Sequence, residues 1–455
     1  MTTRIDPGLR TEFAGEMILP RDPGYDEARA LFNGMIDRRP AVIAQCANTD
    51  DVARAIGFAR ERGLEVSVRG GGHGVAGNAL VDGGLVIDLR MLNSVTVDPD
   101  ARTARVGGGA VMADLDGATA DYGLATVGGR VSTTGVGGFV LGGGSGWLER
   151  KFGLACDNLL SAEVVTADGT HLRASEEENP ELFWALHGGG GNFGAVTSFS
   201  LRLHPLSTLG LALLLWPPEA GPDVVAAFRD LMEAAPDEVG GGSEYMLAPP
   251  ADFVPGDLAG RLALAIVVTC VATEPETRAV VEPLTALGPA GGIIAEMPYT
   301  AVQGMDDDQS GLRNYWTAQH VRELPDEAVA RYCALADDMI VPSASRHTLF
   351  PLGGAVARGP ADYPVPWRND PWVVHPLALW DDPADDVRAR TWARDVRLSM
   401  REWSTGSLYL NFIGDEGADR VREGWGDENM RRLANVKRRY DPDNVFHYNQ
   451  NIEPA

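Results

Sequence analysis

Three glycine-dense stretches carry the most legible chemistry in the chain. They are Arg69 to Gly77 (RGGGHGVAG), Gly135 to Gly146 (GVGGFVLGGGSG) and Gly188 to Gly194 (GGGGNFG). Glycine lets backbone amides approach a ligand closely, so such loops can cradle phosphates. One such loop reads as an ordinary turn; three in one stretch of chain exceed what turns require. Two G-x-G-x-x-G matches occur, at Gly72 to Gly77 and Gly189 to Gly194, and neither has Rossmann surroundings. The first opens no helix, and the second follows a helix and runs into a strand. A Walker P-loop is absent, because neither Lys151 nor Lys437 completes the motif. There is no H-E-x-x-H, and Ser145 fails G-x-S-x-G because position 147 is Trp.

The elements that must hold these loops can be read from periodicity. DVARAIGFARER (51–62) has helical spacing behind a Thr49-Asp50 cap, and LEVSVR is a strand running into the first loop. LVIDL (85–89), SVTVD (94–98) and TARVG (103–107) read as short strands. AVMADLDGATADYG (110–123) reads as a helix closed by Gly123. Residues 158–174 form a predicted hairpin, 179–188 a short helix with Pro180 in its first turn, and 195–206 a strand. Beyond residue 206 prolines and tryptophans become frequent. LALAIVVTCVA (262–272), RHTLFPLGGAVA (346–357) and WVVHPLALW (372–380) read as strands, and TWARDVRLSMREW (391–403) as a helix. The tail holds a predicted strand, SLYLNFI, and a helix, MRRLANVKRRY. This division predicts lobes at 1–206 and 207–405 and a tail at 406–455, the second lobe being an antiparallel sheet with helices on one face.

Composition narrows the function. The 455 residues are 44% hydrophobic and 23% charged, an ordinary globular balance. The net charge of −25 disfavours nucleic acid and anionic lipid as partners. Cys46, Cys156, Cys270 and Cys333 are scattered without a C-x-x-C pair, so no metal site is expected and reduced thiols fit best. MTTRIDPGLR has no apolar core of a signal peptide, and no apolar run is long enough to span a bilayer. A cytoplasmic protein is the expectation.

The chain resembles the berberine bridge enzyme-like FAD-linked oxidases of the vanillyl-alcohol oxidase superfamily. The resemblance rests on VRGGGHGVAG, TTGVGGFVLGGGSGWLERKFGLACDNLLSAEVVTADG, NPELFWALHGGGGNFGAVTSF and RLANVKRRYDPDNVFHYNQNI. It implies an α+β fold with a PCMH-type FAD-binding domain, built from the first lobe and the returning tail, and a substrate domain whose sheet roofs the flavin. It implies that the loop of Arg69, Gly70, Gly71, Gly72, Gly74, Gly77 and Asn78 wraps the pyrophosphate, and that His73 is bonded to the flavin C8α methyl. Further flavin contacts implied are Gly129, Ser132, Thr133, Thr134, Gly137, Gly138, Gly142, Gly143, Gly144, Trp147, Asp157, Val196, Tyr448 and Asn449. Relatives that attach the flavin twice use a cysteine where this chain has Val131, so no second link is expected, and Cys156 does not match that position. Phe139 replaces a common His. Thr134 matches the position that gates oxygen, and its size favours an oxidase.

Flavin oxidation of an alcohol or amine needs a base for the proton. The family's Tyr-x-Asn-Tyr is Tyr409-Leu-Asn411-Phe412 here, so the second Tyr is missing. His375 should share a strand face with Val373, which matches a position where some relatives carry a catalytic Glu. His375 is one candidate base and Tyr409 the other, with Asn411 beside it; Trp316 and Phe350 are candidate cavity walls. The expected reaction moves a hydride from a small alcohol, sugar or secondary metabolite to flavin, with O₂ as acceptor and H₂O₂ as product. Competing readings are a dehydrogenase with another acceptor, a flavin-binding module without turnover, and a nicotinamide enzyme.

Overall fold

The computed structural model describes residues 13–305, 307 and 310–455; the stretch 1–10 read above lies outside them. Two small sheets build the first lobe. Glu16–Ile18, Val42–Gln45, Leu85–Asp88 and Val66–Arg69 lie in that order, the last three parallel. Val95–Asp98, Thr103–Gly107, Ala195–Arg202, Leu159–Val165 and His171–Ala174 form an antiparallel five-stranded sheet. The helix Thr49–Arg62 begins where the Asn48 side chain accepts the Asp51 N–H, and ends at Gly63 with φ 60°. Its apolar face, Val52, Ala55, Ile56 and Ala59, packs on the first sheet.

The second lobe is one large antiparallel sheet. Its order is Gly291–Pro298, Thr208–Trp216, Leu262–Cys270, Val239–Leu247, Arg346–Pro351, Trp372–Trp380 and Arg313–Trp316, with Gln319–Val321 also on Trp372–Trp380. Period-two alternation assigns the two faces different work. Leu264, Ile266, Val268, Leu349, Trp372 and Val374 pack under the helices Gly221–Ala234, Asp326–Ala334 and Asp386–Ser399. Glu244, Thr348, Phe350, His375 and Trp316 face the first lobe instead.

The tail returns to the first lobe. The helix Ala418–Tyr440 is broken at Gly426 (φ 73°). Trp425 Nε1 donates to Gly188 O at 2.9 Å, and the buried Lys437 ammonium donates to Asn192 O, Phe446 O and Asp441 Oδ2 at 2.6–2.9 Å. A lysine this buried needs all three acceptors, and burial still pulls its pKa down.

Two predicted strands differ. SLYLNFI is not a strand: Leu410–Phe412 form a 3₁₀ turn. The Tyr409 N–H donates to His320 Nε2 rather than to a neighbouring strand, and Asn411 Nδ2 donates to Gly138 O, so side chains replace the ladder. The strand read over 346–357 stops at Pro351, where Gly353 and Gly354, both at positive φ, turn the chain into a short helix, Ala355–Arg358.

Candidate active site

A cavity of about 350 Å³ lies between the lobes, floored by the glycine loops and roofed by the large sheet. The glycines divide into two physical classes. Some exist because backbone meets backbone: a Cβ on Gly71 would stand 2.6 Å from Gly135 Cα, so the first two loops touch directly. Others have room to spare. Gly74, Gly138 and Gly191, one in each loop, line the cavity, and a Cβ on any of them would meet none of the described residues within 4 Å apart from its own chain neighbours and, for Gly138, its own helix turn. Space kept beside three bare backbones is space for a ligand. Gly71→Ala should therefore lower the melting temperature of the flavin-free chain, an overpacking cost of about 1–3 kcal/mol. Gly138→Ala should leave that temperature unchanged and reduce flavin content, read from the visible band per mole of protein; equal effects of the two would refute the division.

Not every implied contact reaches this space. Gly70, Gly71, Gly72, His73, Gly74, Asn78, Gly129, Thr134, Gly137, Gly138, Val196, Tyr448 and Asn449 line it. Arg69 does not: it donates to the carbonyls of Ala28 and Ala30. Gly77 sits against Ile36. Gly142, Gly143 and Gly144 form a seat for the tail and substrate lobe, where added Cβ atoms would strike Asn411 at 2.4 Å and Trp367 at 3.0 Å, and where Gly144 N–H meets the Tyr409 phenol. Ser132 holds Asp307, and Thr133 lies outside the lining. Asp157 pairs with Arg368 at 2.8 Å, and Trp147 stacks on Arg130.

His73 lies flat on Phe32, centroids 3.8 Å apart, with Trp316 at 6.0 Å. Its Nε2 is buried with no partner among the described residues, and burial lowers its pKa to about 4, so the ring is neutral. His375 meets the same Trp316 ring edge to face, centroids 5.8 Å apart.

The state of His375 follows from its neighbour. Thr317 N–H donates to Pro376 O at 3.4 Å, and the reciprocal ladder bond is impossible because Pro376 has no N–H. The vacant Thr317 carbonyl takes the imidazole instead, with Nδ1 at 2.9 Å. A carbonyl only accepts, so Nδ1 carries the proton and Nε2 keeps its lone pair. Burial, with the backbone bond opposing it and Arg130 and His320 adding to it, lowers the pKa to about 3. Phe412 stacks on the ring at 4.1 Å and 7°.

Tyr409 is differently placed. Its phenol oxygen accepts from Gly144 N at 3.1 Å and Asn411 Nδ2 at 3.0 Å, and burial drives its pKa far up. Asn411 also donates to Gly138 O. Both line the cavity, and the Tyr409 oxygen as acceptor and the Asn411 amide nitrogen as donor hold the second loop.

Arg130, Glu244, Arg346, Thr348 and Leu377 also line the cavity and escaped the sequence reading. A signal existed for some: Phe350 was picked, and period two places Arg346 and Thr348 on its face. An arginine amid TVGGRVSTTG was the signal for Arg130.

An FAD binding domain model matches residues 40–175, and a berberine and berberine-like model matches 408–453. The (R)-6-hydroxynicotine oxidase of Paenarthrobacter nicotinovorans is 33% identical over 97% of each chain. The chain belongs to the berberine bridge enzyme-like FAD-linked oxidoreductases. An FAD-linked oxidoreductase of Bacillus subtilis is 29% identical over 98% of each chain. The structure of 6-hydroxy-D-nicotine oxidase from Arthrobacter nicotinovorans superposes with a TM-score of 0.88 at 30% identity, covering 99% of this chain and 100% of that one. Glucooligosaccharide oxidase from Acremonium strictum, whose FAD is 6-S-cysteinyl and 8α-N1-histidyl, shares the fold with a TM-score of 0.85 at 22% identity over 98% of each chain. As a family member the protein is an FAD-dependent enzyme, and the glycine-walled cavity with its unpartnered His73 nitrogen fits that cofactor.

Proposed function

We propose that this berberine bridge-like enzyme is an oxidase with FAD attached once, through His73. The substrate is a small alcohol or amine of secondary metabolism, and O₂ is reduced to H₂O₂. FAD supplies the two-electron acceptor that oxygen can restore. His375 carries the reading: a neutral imidazole whose proton is fixed on Nδ1 and whose Nε2 lone pair has no partner among the described residues. It takes the proton of the reacting O–H or N–H. Tyr409 cannot do so, because its burial and its role as acceptor of two hydrogen bonds keep the phenol protonated and in place. Trp316, Phe350, Phe412 and Leu377 give the wall an apolar character that suits a compact molecule better than an oligosaccharide. Thr134 borders the cavity, in keeping with oxygen access.

A single attachment is supported by the cysteines. All four are buried and none lines the cavity. Acid precipitation tests the link. Wild-type pellets should stay yellow and gain the mass of FAD, while His73→Ala should release all its flavin to the supernatant. A colourless wild-type pellet would overturn covalent attachment, and reduced flavin that stays reduced in air would overturn the oxidase.

A further inference from the structure

The cavity holds a cation that the chemistry above leaves unused. Arg130 is held against two rings, with its Cζ 4.1 Å from the Phe350 centroid and 4.9 Å from that of Trp147. A guanidinium stacked this way is rigid, and it can donate only in its own plane. Of its five N–H groups, the protein engages few. Nη2 donates to Glu149 Oε1 at 3.1 Å, and Nη1 makes only long contacts of 3.3–3.4 Å to Ser145. Arg130 lines the cavity, whereas Glu149 stands behind it, outside the lining. The side chain is 11% exposed and lines the cavity, and its Nε is buried with no partner among the described residues.

The charged residues of the wall are Arg130, Arg346 and Glu244, and Glu244 Oε1 lies 3.6 Å from Arg346 Nη1. Arg130 is paired in turn with Glu149 behind the wall, so what it offers the cavity is guanidinium N–H groups that the protein leaves poorly filled. Arg130 also acts electrostatically on His375, so cation and base border the same volume. The surfaces between them are flat and apolar: Trp316, Phe350, Phe412 and Leu377.

We propose that Arg130 selects the substrate: a flat aromatic molecule carrying an oxyanion, carboxylate or phenolate, that lies in the guanidinium plane while the oxidisable carbon faces His375. This rests on the oxidase reading of the cavity. The oxyanion completes donors that are otherwise desolvated and unfilled, and the stacked walls bind the ring. A cationic amine with no acidic oxygen would leave those donors empty and set N–H against N–H.

The test uses probes that cannot be oxidised. Benzoate, phenolate-bearing 4-nitrophenol above its pKa, neutral benzamide and cationic benzamidine are titrated into the flavin-loaded enzyme. Binding is read from the flavin absorption shift and by calorimetry. The anions should bind at least about tenfold tighter than benzamide, the worth of one charge-assisted hydrogen bond, with benzamidine weakest. Arg130→Met should bring the three classes within about threefold, and Arg130→Lys should keep part of the preference. Benzoate and 4-nitrophenolate separate the two oxyanion sources. Equal or tighter binding of benzamidine to the wild type overturns the proposal without any variant, as does an unchanged preference in a folded Arg130→Met. Failure of every probe to bind a yellow enzyme also overturns it, while leaving the flavin reading intact.

Discussion

Replacing His375 with glutamine is expected to slow substrate reduction of the flavin by about 10²-fold, the low end of what a positioned proton acceptor contributes, because an imidazole whose pKa is lowered to about 3 is a weak base. Flavin content and melting temperature should stay near wild type, because glutamine can still donate to Thr317 O. Anaerobic stopped-flow bleaching of the 450-nm-type band is the measurement. Pro376→Ala separates geometry from basicity. Alanine restores an N–H opposite Thr317, so the carbonyl regains a ladder donor and the imidazole loses the partner that fixes its tautomer. Its rate should fall between wild type and His375→Gln. The pH profile has a matching signature. The His375 pKa is depressed to about 3, so the base form is fully present well above that value. No loss of rate from this group should occur between pH 5 and 8, and a limb near pH 6.5 that vanishes in His375→Gln would contradict the burial described here. If His375→Gln reduces its flavin at the wild-type rate, the assignment of the base fails.

The fold itself is expected to be acid-labile, losing roughly 6 kcal/mol of stability between pH 6.5 and 4.5. Setting aside His73, which borders the flavin site, and the less deeply buried His204, both lowered to about 4, three fully enclosed rings remain: His187 and His347 have pKa values lowered to about 4, and His375 to about 3, all chiefly by desolvation. Below pH 6.5 the unfolded chain takes up a proton on each of these rings, whereas the folded chain does so only near pH 4 or 3. Each ring therefore removes about 1.4 kcal/mol per pH unit across that window. Asp116 works in the opposite sense. Burial raises its pKa to about 7, so the folded state holds a proton that the unfolded state lacks between pH 7 and 4, and stability gains as pH falls. His320, lowered, and Glu149, raised, add to opposite sides. Three rings against one acid leave roughly 3 kcal/mol per pH unit, large beside a total of about 5–15 kcal/mol. Urea midpoints at pH 7, 6 and 5 measure this. A midpoint that holds steady over that range would show that these rings titrate normally.

Much of the site could be read from residue order, and the misses share a cause. His375 was legible because a strand alternates, so its face followed from that of Val373. That Pro376 empties the Thr317 carbonyl was not legible, because it depends on which strand lies alongside. The glycine runs announced close approaches without saying of what to what. Gly74 faces a cavity, whereas Gly142 to Gly144 face Asn411, Trp367 and Tyr409, which arrive from far along the chain. VGGGSEYML (239–247) carries three consecutive glycines and reads poorly as a strand. It forms one because Leu262–Cys270 and Arg346–Pro351 flank it, and Gly242 leaves room for the Phe350 ring, which a Cβ there would meet at 2.8 Å. Tertiary pairing overrides local preference at each of these points.

Lys437 joins a glycine loop near residue 192 to a carbonyl at 446, and Asn192 in turn receives Ile452 N–H and donates to Gln450 O. The wall that carries Tyr448 and Asn449 is thus laced to the third glycine loop by one buried ammonium and one amide side chain. Local fraying of that lacing would open this side of the vessel before either sheet came apart.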